Sequence, residues 1–210
     1  MTSKTALYHI THVKNLSGII KNRAIMAQSL IRQYKISYCD IAYNSIQRKR
    51  SLTPIPCGPK GYLHDYVPFY FAPRSPMLYT ISKGNVEGYN EGQYPIVYLV
   101  TSLRQIAISG LRYVFTDGHG IMSLTDFFDN FEYLNEIDWE VMNSIYWNDT
   151  NENPDRKRRR QAEFLIYRCF PWNMIEMIAV INGKMKAAVE KIISAADYHP
   201  AIICKPDWYY

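Results

Sequence analysis

The order of short strand segments constrains the fold of this chain most. Residues 66–71, Tyr-Val-Pro-Phe-Tyr-Phe, are aromatic and β-branched and predict a buried strand that prolines bring to an end. Similar apolar or alternating patterns predict strands over residues 6–11, 96–101, 113–116, 163–168, 177–181 and 201–204. Helical segments separate these strands without a repeating β-α-β order, which favours an α+β fold. A length of 210 residues, with no internal repeat or linker, predicts a single domain over residues 1–210.

Helical periodicity predicts the remaining elements. Residues 13–21, 37–50, 125–134 and 184–196 carry apolar side chains at helical spacing. Ser102 is expected to begin a helix that ends at Gly110, and Asp138 is expected to begin another that ends near Trp147. Gly18 lies inside the first helix, where glycine costs about 1 kcal/mol relative to alanine. Its presence suggests that another group approaches the backbone there.

A run of five cations, Arg-Lys-Arg-Arg-Arg at residues 156–160, leads directly into a strand. The chain has a net charge of +5, and this run contributes as much positive charge as the whole excess. Such a concentration indicates a patch directed at an anionic partner, although a solvated basic loop has the same pattern. Glu163 lies where the run meets the strand, so a carboxylate there could serve a reaction between anionic substrates.

Several classes of protein are excluded by missing motifs. The sequence contains no GxGxxG or GxxxxGK[ST] loop, no HExxH and no GxSxG. The cysteines are widely scattered without a CxxC pair, which argues against a zinc site. The chain also lacks a signal-peptide pattern and an apolar run of about 18 residues. We therefore expect a cytoplasmic protein with reduced thiols and no membrane partner.

Three histidines are candidates for a functional site. His9 lies on a predicted strand and is either a ligand-binding group or a satisfied core histidine. His64 precedes Asp65, and the two are either a base with its orienting carboxylate or a cap at the strand edge. His119 lies in a glycine-flanked loop, Thr-Asp-Gly-His-Gly, where polar residues more often have functional roles.

Two long segments resemble one known family. Residues 8–19, Tyr-His-Ile-Thr-His-Val-Lys-Asn-Leu-Ser-Gly-Ile, and residues 63–71, Leu-His-Asp-Tyr-Val-Pro-Phe-Tyr-Phe, resemble DarT-family DNA ADP-ribosyltransferase toxins. Shorter matches follow in order at residues 115–117, 161–163 and 207–210. The resemblance covers nearly the whole chain. It implies an ADP-ribosyltransferase-like fold with two packed small β-sheets flanked by helices.

The resemblance also implies an activity and its partners. NAD would be the co-substrate, no metal would be needed, and single-stranded DNA would be the acceptor. The sequence looks closer to the thymidine-modifying branch, whose members are toxins that block replication. A macrodomain antitoxin would be the partner, and we expect a monomer. Guanine in DNA, RNA as acceptor, or a catalytically silent nucleic-acid-binding module are the alternatives.

Site residues follow from the resemblance and from the chemistry. By resemblance, Glu163 and Arg50 are catalytic, and His9, Ile10, Thr11, Gly18, Met26 and Arg50 bind NAD. Tyr66, Tyr70 or Phe71 could stack on the nicotinamide, with core packing as the alternative for two of the three, and Tyr70 is the one assigned to NAD binding. The DNA-binding set is His119, Tyr146, Trp147, Arg158, Arg159 and Arg160, because cations contact phosphates and aromatic rings stack on unpaired bases.

Glu163 is expected to stabilise positive charge on the ribose as the bond to nicotinamide breaks. The thymine ring nitrogen must lose a proton before it attacks, and the family account assigns that proton to Arg50. A guanidinium is normally protonated at all accessible pH. Stabilisation of the base anion by Arg50, with Glu163 or water taking the proton, is the physically easier alternative.

Overall fold

A computed structural model of the protein describes residues 5–210, and its elements mix helices and strands. The strands are β1 (Ala6–His12), β2 (Ala24–Met26), β3 (Tyr66–Tyr70), β4 (Ile96–Ser102), β5 (Tyr113–Thr116), β6 (Phe127–Phe128), β7 (Glu163–Tyr167), β8 (Cys169–Pro171), β9 (Met177–Val180) and β10 (Ala201–Cys204). The α-helices are α1 (Leu16–Lys21), α2 (Gln28–Gln33), α3 (Asn44–Leu52), α4 (Pro76–Ser82), α5 (Leu103–Ser109), α6 (Trp139–Asn143), α7 (Arg156–Arg159) and α8 (Gly183–Ile193). Short 3-10 helices span Val13–Asn15, Leu63–Asp65, Phe131–Glu136, Trp172–Met174 and Pro206–Trp208.

One eight-stranded sheet has the order β10-β9-β4-β1-β3-β7-β5-β6, and β2 pairs with β8 in a separate two-stranded sheet. The large sheet is nearly divided in the middle. Strand β1 pairs with β4 along its whole length, but it pairs with β3 only at Tyr8 and Tyr70. Where the sequence predicted two small sheets, the structure has one large sheet, whose two halves are joined between β1 and β3 by a single residue pair, and a small two-stranded sheet.

Both faces of the β1–β4 half are buried. Leu7 and Leu99 belong to one apolar core, which α1 and α8 also line, whereas Ile10 and Tyr98 belong to a second core on the opposite face. This division follows from the strand geometry, because successive side chains point to opposite faces of a sheet. Burial on both faces gives the half-sheet a rigid frame for polar groups at its edge.

The prediction of a helix over residues 125–134 is wrong. Strand β6 and a 3-10 helix replace it, because the aromatic side chains pack on β5 instead of sharing one helical face. Phe128 stacks on Phe115 with ring centroids 5.3 Å apart, and Phe131 stacks on Tyr113 at 4.5 Å. The helix that begins at Asp138 ends at Asn143, short of the predicted end.

The helix predicted over residues 37–50 begins only at Asn44. Residues 37–43 are held in a loop, since the Asn15 side chain accepts a hydrogen bond from Cys39 N (2.7 Å) and donates one to Cys39 O (2.9 Å). The helix between Ser102 and Gly110 is confirmed: the Ser102 hydroxyl accepts from Gln105 N, and Gly110 has a left-handed φ of 69°. Within residues 5–210, none of the helices has the length and apolar character needed to cross a membrane.

Candidate active site

A cleft of about 710 Å³ opens where β1 and β3 diverge, and both strands line it. This volume lies within the range of roughly 300–1,000 Å³ that small-molecule sites occupy. His9 on β1 bridges the divide, because its Nδ1 donates to the Pro68 carbonyl on β3 at 2.8 Å. The other ring nitrogen of His9 is left as an acceptor. Burial lowers the pKa of His9, which keeps the ring neutral.

Glu163 lies on the floor of this cleft beside the point where the half-sheets meet. It is the first residue of β7 and pairs with Tyr70, which in turn pairs with Tyr8. Arg50, on the last turn of α3, donates from Nη1 to Glu163 Oε1 at 2.7 Å. Only 11% of the Arg50 side chain and 2% of the Glu163 side chain are exposed. Strand register and one helix therefore assemble a buried ion pair.

The second oxygen of Glu163 is held by the backbone of Gly120. The Gly120 N–H donates to Glu163 Oε2 at 3.2 Å. A Cβ at position 120 would lie 2.8 Å from that oxygen and 3.2 Å from the Leu63 side chain. Glycine is therefore required for the close approach of this backbone to the carboxylate.

Arg50 has a donor left over. Its Nη2 is buried and has no hydrogen-bond partner among residues 5–210, although Arg50 lines the cleft. An unpartnered buried donor is costly. The Arg50 Nη2 group therefore suits a polar acceptor on a ligand inside the cleft.

All of the residues predicted to bind NAD line this cleft: His9, Ile10, Thr11, Gly18, Met26, Arg50 and Tyr70. A Cβ at Gly18 would meet no atom within 4 Å, so the packing of α1 does not require the glycine. The free space beside Gly18 agrees with the expectation that a ligand approaches α1 there. Burial and then the nearby Glu163 raise the pKa of Tyr70, so its hydroxyl stays protonated.

The predicted DNA-binding residues divide into two groups. His119 and Trp147 line the cleft, whereas Tyr146 is 80% exposed and lies outside it. Trp147 is 6% exposed and donates from Nε1 to the Tyr210 hydroxyl at 2.9 Å. Trp147 is thus a fixed part of the wall, and stacking on a base would have to use the remaining exposed edge.

Arg158, Arg159 and Arg160 were predicted to contact DNA phosphates. In the structure their guanidinium groups are instead bonded to other groups of the protein. Arg158 pairs with Asp117 (3.0 Å) and Asp155 (2.8 Å), and Arg159 pairs with Asp138. These carboxylates come from neighbouring loops and neutralise both guanidinium groups.

Arg160 is 4% exposed and serves the backbone instead of a ligand. Its guanidinium donates to the carbonyls of Val141 (2.7 Å), Met142 (2.6 Å) and Pro73 (2.7 Å). It thereby binds the C-terminal end of α6 and the segment after β3. The basic stretch is thus a short helix that ties loops together, and the solvated loop considered as its alternative is not observed either.

Two lysines that sequence reasoning did not single out contribute free charge to the cleft. Lys157, from the same run, is exposed, and its ammonium makes no ion pair within the described range 5–210. Lys49, next to Arg50, is also exposed and lines the cleft. A count of nearby carboxylates could not have separated Lys157 from its neighbours, because two of the three pairing acids, Asp117 and Asp138, are distant in sequence.

His64 lies beneath α3. Its Nε2 lies 2.9 Å from Gln47 Oε1, one helical turn before Arg50. Burial, and then the charges of Arg32 and Arg50, lower the pKa of His64 from 6.5 to about 4. The ring is therefore neutral near pH 7 and fastens α3 to the turn before β3, which is closer to the predicted cap than to a base.

His12, Cys39 and Glu91 form a cluster outside the Arg50–Glu163 centre, with potential ligand atoms within 4.8 Å of one another. The Nδ1 of His12 accepts from Lys14 N at 3.1 Å, so the hydrogen is on Nε2, which faces Glu91 at 3.5 Å. The Lys14 ammonium also binds Glu91 at 2.8 Å. A protonated ring nitrogen and an ammonium are unsuited to holding a cation.

The sequence and the fold match proteins of known activity. The family described as DarT, ssDNA thymidine ADP-ribosyltransferase, matches residues 8–210. The chain belongs to the DarT family. A DNA ADP-ribosyl transferase of Thermus sp. (strain 2.9) is 43% identical over 98% of this chain and 96% of its own length.

Solved structures of the DarT family have the same fold. Thermus sp. 2.9 DarT in complex with ADP-ribosylated ssDNA has a TM-score of 0.91 at 43% identity, over 98% of this chain and 96% of that one. The same DarT in complex with NAD+ has a TM-score of 0.88 at 41% identity, over 99% and 98%. Family, α+β fold and enzyme class are therefore confirmed.

One relative joins two activities in a single chain. A Thermosipho africanus protein, a DNA ADP-ribosyl transferase-DNA ADP-ribosyl glycohydrolase fusion, is 25% identical over 90% of this chain. The present chain covers 45% of that fusion protein.

Proposed function

We propose that this chain transfers ADP-ribose from NAD to a ring nitrogen of thymine in single-stranded DNA and releases nicotinamide. As a member of the DarT family, it is an NAD-dependent DNA ADP-ribosyltransferase. The observation that carries the proposal is the buried Arg50–Glu163 pair on the floor of a 710 Å³ cleft, with Arg50 Nη2 unpartnered among residues 5–210.

We assign an electrostatic role to Glu163, and the geometry of the carboxylate supports it. Positive charge grows on the ribose as its bond to nicotinamide breaks, and a fixed carboxylate beside the sugar stabilises that charge. Arg50 and Gly120 hold one oxygen each, so the carboxylate is already oriented before substrate binds. Nicotinamide leaves as a neutral ring, and no acid is needed for its departure.

NAD fits the residues that line the cleft. The unpartnered Arg50 donor suits a hydroxyl or amide oxygen, the free acceptor on His9 suits a hydroxyl, and the space at Gly18 allows close approach. Tyr70, next to Glu163 in the sheet, offers a ring at the reacting end. We assign NAD binding to these residues and to Ile10, Thr11 and Met26.

Single-stranded DNA enters past the exposed ammonium groups of Lys49 and Lys157. A paired thymine hides its ring nitrogen, so the acceptor base must be unpaired. Guanine in DNA and RNA remain the alternative acceptors. A silent binding module is disfavoured by the assembled Arg50–Glu163 pair.

The biological setting is proposed from the fusion relative. A toxin that modifies DNA needs a glycohydrolase to remove the mark, and a macrodomain antitoxin would supply that activity. We place the enzyme in the cytoplasm, where DNA and NAD are available, and propose that it acts as a monomer.

Mass spectrometry of the product tests this function. Oligonucleotides containing a single thymine, a single guanine or neither, and an RNA counterpart, are incubated with enzyme and NAD. We expect a mass increase of one ADP-ribose only on the thymine-containing DNA, located at that base by fragmentation. Modification of guanine or of RNA alone would show that the acceptor is that group instead of thymine. Absence of nicotinamide release with every acceptor would contradict the proposal.

A further inference from the structure

We propose that His119 is the general base that takes the proton from the ring nitrogen of the acceptor thymine. The inference rests on the proposed function, because only an acceptor that carries a ring N–H needs such a base. It assigns a chemical step to a residue that we expected only to contact DNA.

The two residues of the ion pair are poorly suited to this step. Arg50 carries a guanidinium, which is protonated at every accessible pH and cannot accept a proton. Both oxygens of Glu163 already accept hydrogen bonds, from Arg50 and from Gly120. Protonation of Glu163 would also remove the charge that stabilises the ribose. The proton therefore needs a third group.

Of the histidines that line the cleft, His119 is the one whose ring makes no hydrogen bond within residues 5–210. The Nδ1 of His9 is used by the Pro68 carbonyl, and the Nε2 of His64 by Gln47. The ring nitrogens of His119 make no hydrogen bond within residues 5–210, while the residue lines the cleft together with Arg50 and Glu163.

The backbone of His119 is fixed on both sides, so the ring has a defined place. Its N–H donates to the Arg158 carbonyl at 3.1 Å, and its carbonyl accepts from the Thr125 hydroxyl at 2.9 Å. The next residue, Gly120, donates to Glu163. The loop therefore couples the position of the His119 ring to the catalytic carboxylate.

Burial keeps this ring neutral and able to accept a proton. Burial lowers the pKa of His119, and it is opposed by the negative charge of Glu163, while Arg50 and Lys49 lower the pKa further. A neutral imidazole near neutral pH is an efficient general base.

The N–H proton of thymine passes to a ring nitrogen of His119, and the nitrogen electron pair forms the bond to ribose C1′. The bond from C1′ to the nicotinamide nitrogen breaks, and its electron pair stays on that nitrogen, which loses its positive charge. The imidazolium then gives its proton to water.

The test compares wild type with His119→Gln on two acceptors, thymine and 5-fluorouracil, in otherwise identical single-stranded oligonucleotides. 5-Fluorouracil has a more acidic ring N–H and depends less on a base. We expect His119→Gln to lower kcat on thymine by about 100-fold, the lower end of the effect of general bases, and to lose much less on 5-fluorouracil. In wild type, kcat on thymine should fall as pH drops through the lowered pKa of His119, and this dependence should vanish in the variant.

Equal losses on both bases with an unchanged pH profile would overturn the assignment and leave His119 a positioning residue. If His119→Gln does not fold, His119→Asn replaces it, and a wild-type profile without the fall at acid pH overturns the proposal by itself. Wild type that forms no thymine adduct would overturn both the proposed function and the role of His119. A thymine adduct in wild type, together with equal losses of kcat on thymine and 5-fluorouracil in the variant, would overturn the role of His119 alone.

Discussion

Arg50 Nη1 lies 2.7 Å from Glu163 Oε1, although 113 residues separate the two in the chain. Glu163 reaches this place through the register of β7 on β3, and Arg50 reaches it from the end of α3. Removal of one partner from a buried ion pair leaves an uncompensated charge. The strand and the helix therefore hold the two charged groups of the cleft in fixed positions.

Replacement of Arg50 by lysine tests whether the guanidinium is needed. Lysine keeps the charge beside Glu163 but loses the planar pair of donors, one of which is the unpartnered Nη2. We expect Arg50→Lys to fold and to lower kcat by about 100-fold, the scale of one lost electrostatic contact in a transition state. Steady-state kinetics at neutral pH checks this, and substantial remaining activity would rule out a guanidinium-specific role.

Gly120→Ala should disturb the carboxylate without a change of charge. The added methyl group would lie 2.8 Å from Glu163 Oε2, so either the carboxylate or the loop must move. We expect a large loss of kcat with a small change in thermal stability. Gly183→Ala is the matched control, because a Cβ at position 183 meets nothing within 4 Å. Equal activity of the two variants would show that the Gly120 contact is dispensable.

Lys49 and Lys157 should account for part of the salt dependence of DNA binding. Each phosphate contact to a single strand contributes about 0.7 to the slope of log K against log salt. The double variant Lys49→Ala/Lys157→Ala should therefore flatten the slope by up to about 1.4, as measured by fluorescence anisotropy. Lys184→Ala/Lys191→Ala on α8 changes the net charge equally, away from the cleft. An effect of the same size in that control would point to net charge alone.

Arg160→Ala should lower the stability of the folded protein. The guanidinium satisfies buried carbonyls of Pro73, Val141 and Met142, and its removal leaves them without that donor. We expect the free energy of unfolding to fall by roughly 3 kcal/mol in urea denaturation. Arg48→Ala, at an exposed position on α3, is the control and should change it little. Unchanged stability of Arg160→Ala with weaker DNA binding would restore the phosphate-binding role.

His64 should make stability depend on pH. Its pKa is about 4 in the folded protein against 6.5 when unperturbed, so the folded state binds fewer protons between these values. The contribution is fully present above pH 6.5 and is lost as pH falls towards about 4. Urea denaturation of wild type and His64→Gln between pH 4 and 7 isolates it as a difference. Parallel curves would contradict the assignment.

Sequence reasoning succeeded where local pattern and a long ordered resemblance act together. The segment Tyr66–Tyr70 has the apolar and aromatic composition typical of a buried strand. Glu163 is the first residue of another strand with this composition. The contact between Arg50 and Glu163 could not come from periodicity. The resemblance named both residues as catalytic but not their contact, and the register of Tyr70 explains physically how Glu163 reaches the cleft.

Sequence reasoning failed where side-chain partners lie far away in the chain. The run at residues 156–160 looked like free charge because Asp155 is the only partner next to it in sequence, whereas Asp117 and Asp138 lie outside any local window. The aromatic stripe at residues 125–134 has helical spacing, but stacking of Phe128 on Phe115 decides its structure. The need for glycine at position 120 appears only when Glu163 approaches in three dimensions.

The most direct test of the active-site assignment is the rate of ADP-ribose transfer by Glu163→Gln. Glutamine keeps the shape of the side chain and removes the charge that should stabilise the ribose. Single-turnover transfer from NAD to a thymine-containing oligonucleotide, with thermal denaturation as a check of folding, supplies the measurement. We expect a folded protein whose rate is lower by about 100- to 1,000-fold. A folded Glu163→Gln variant with a rate close to wild type would contradict the assignment of the Arg50–Glu163 pair as the reacting centre.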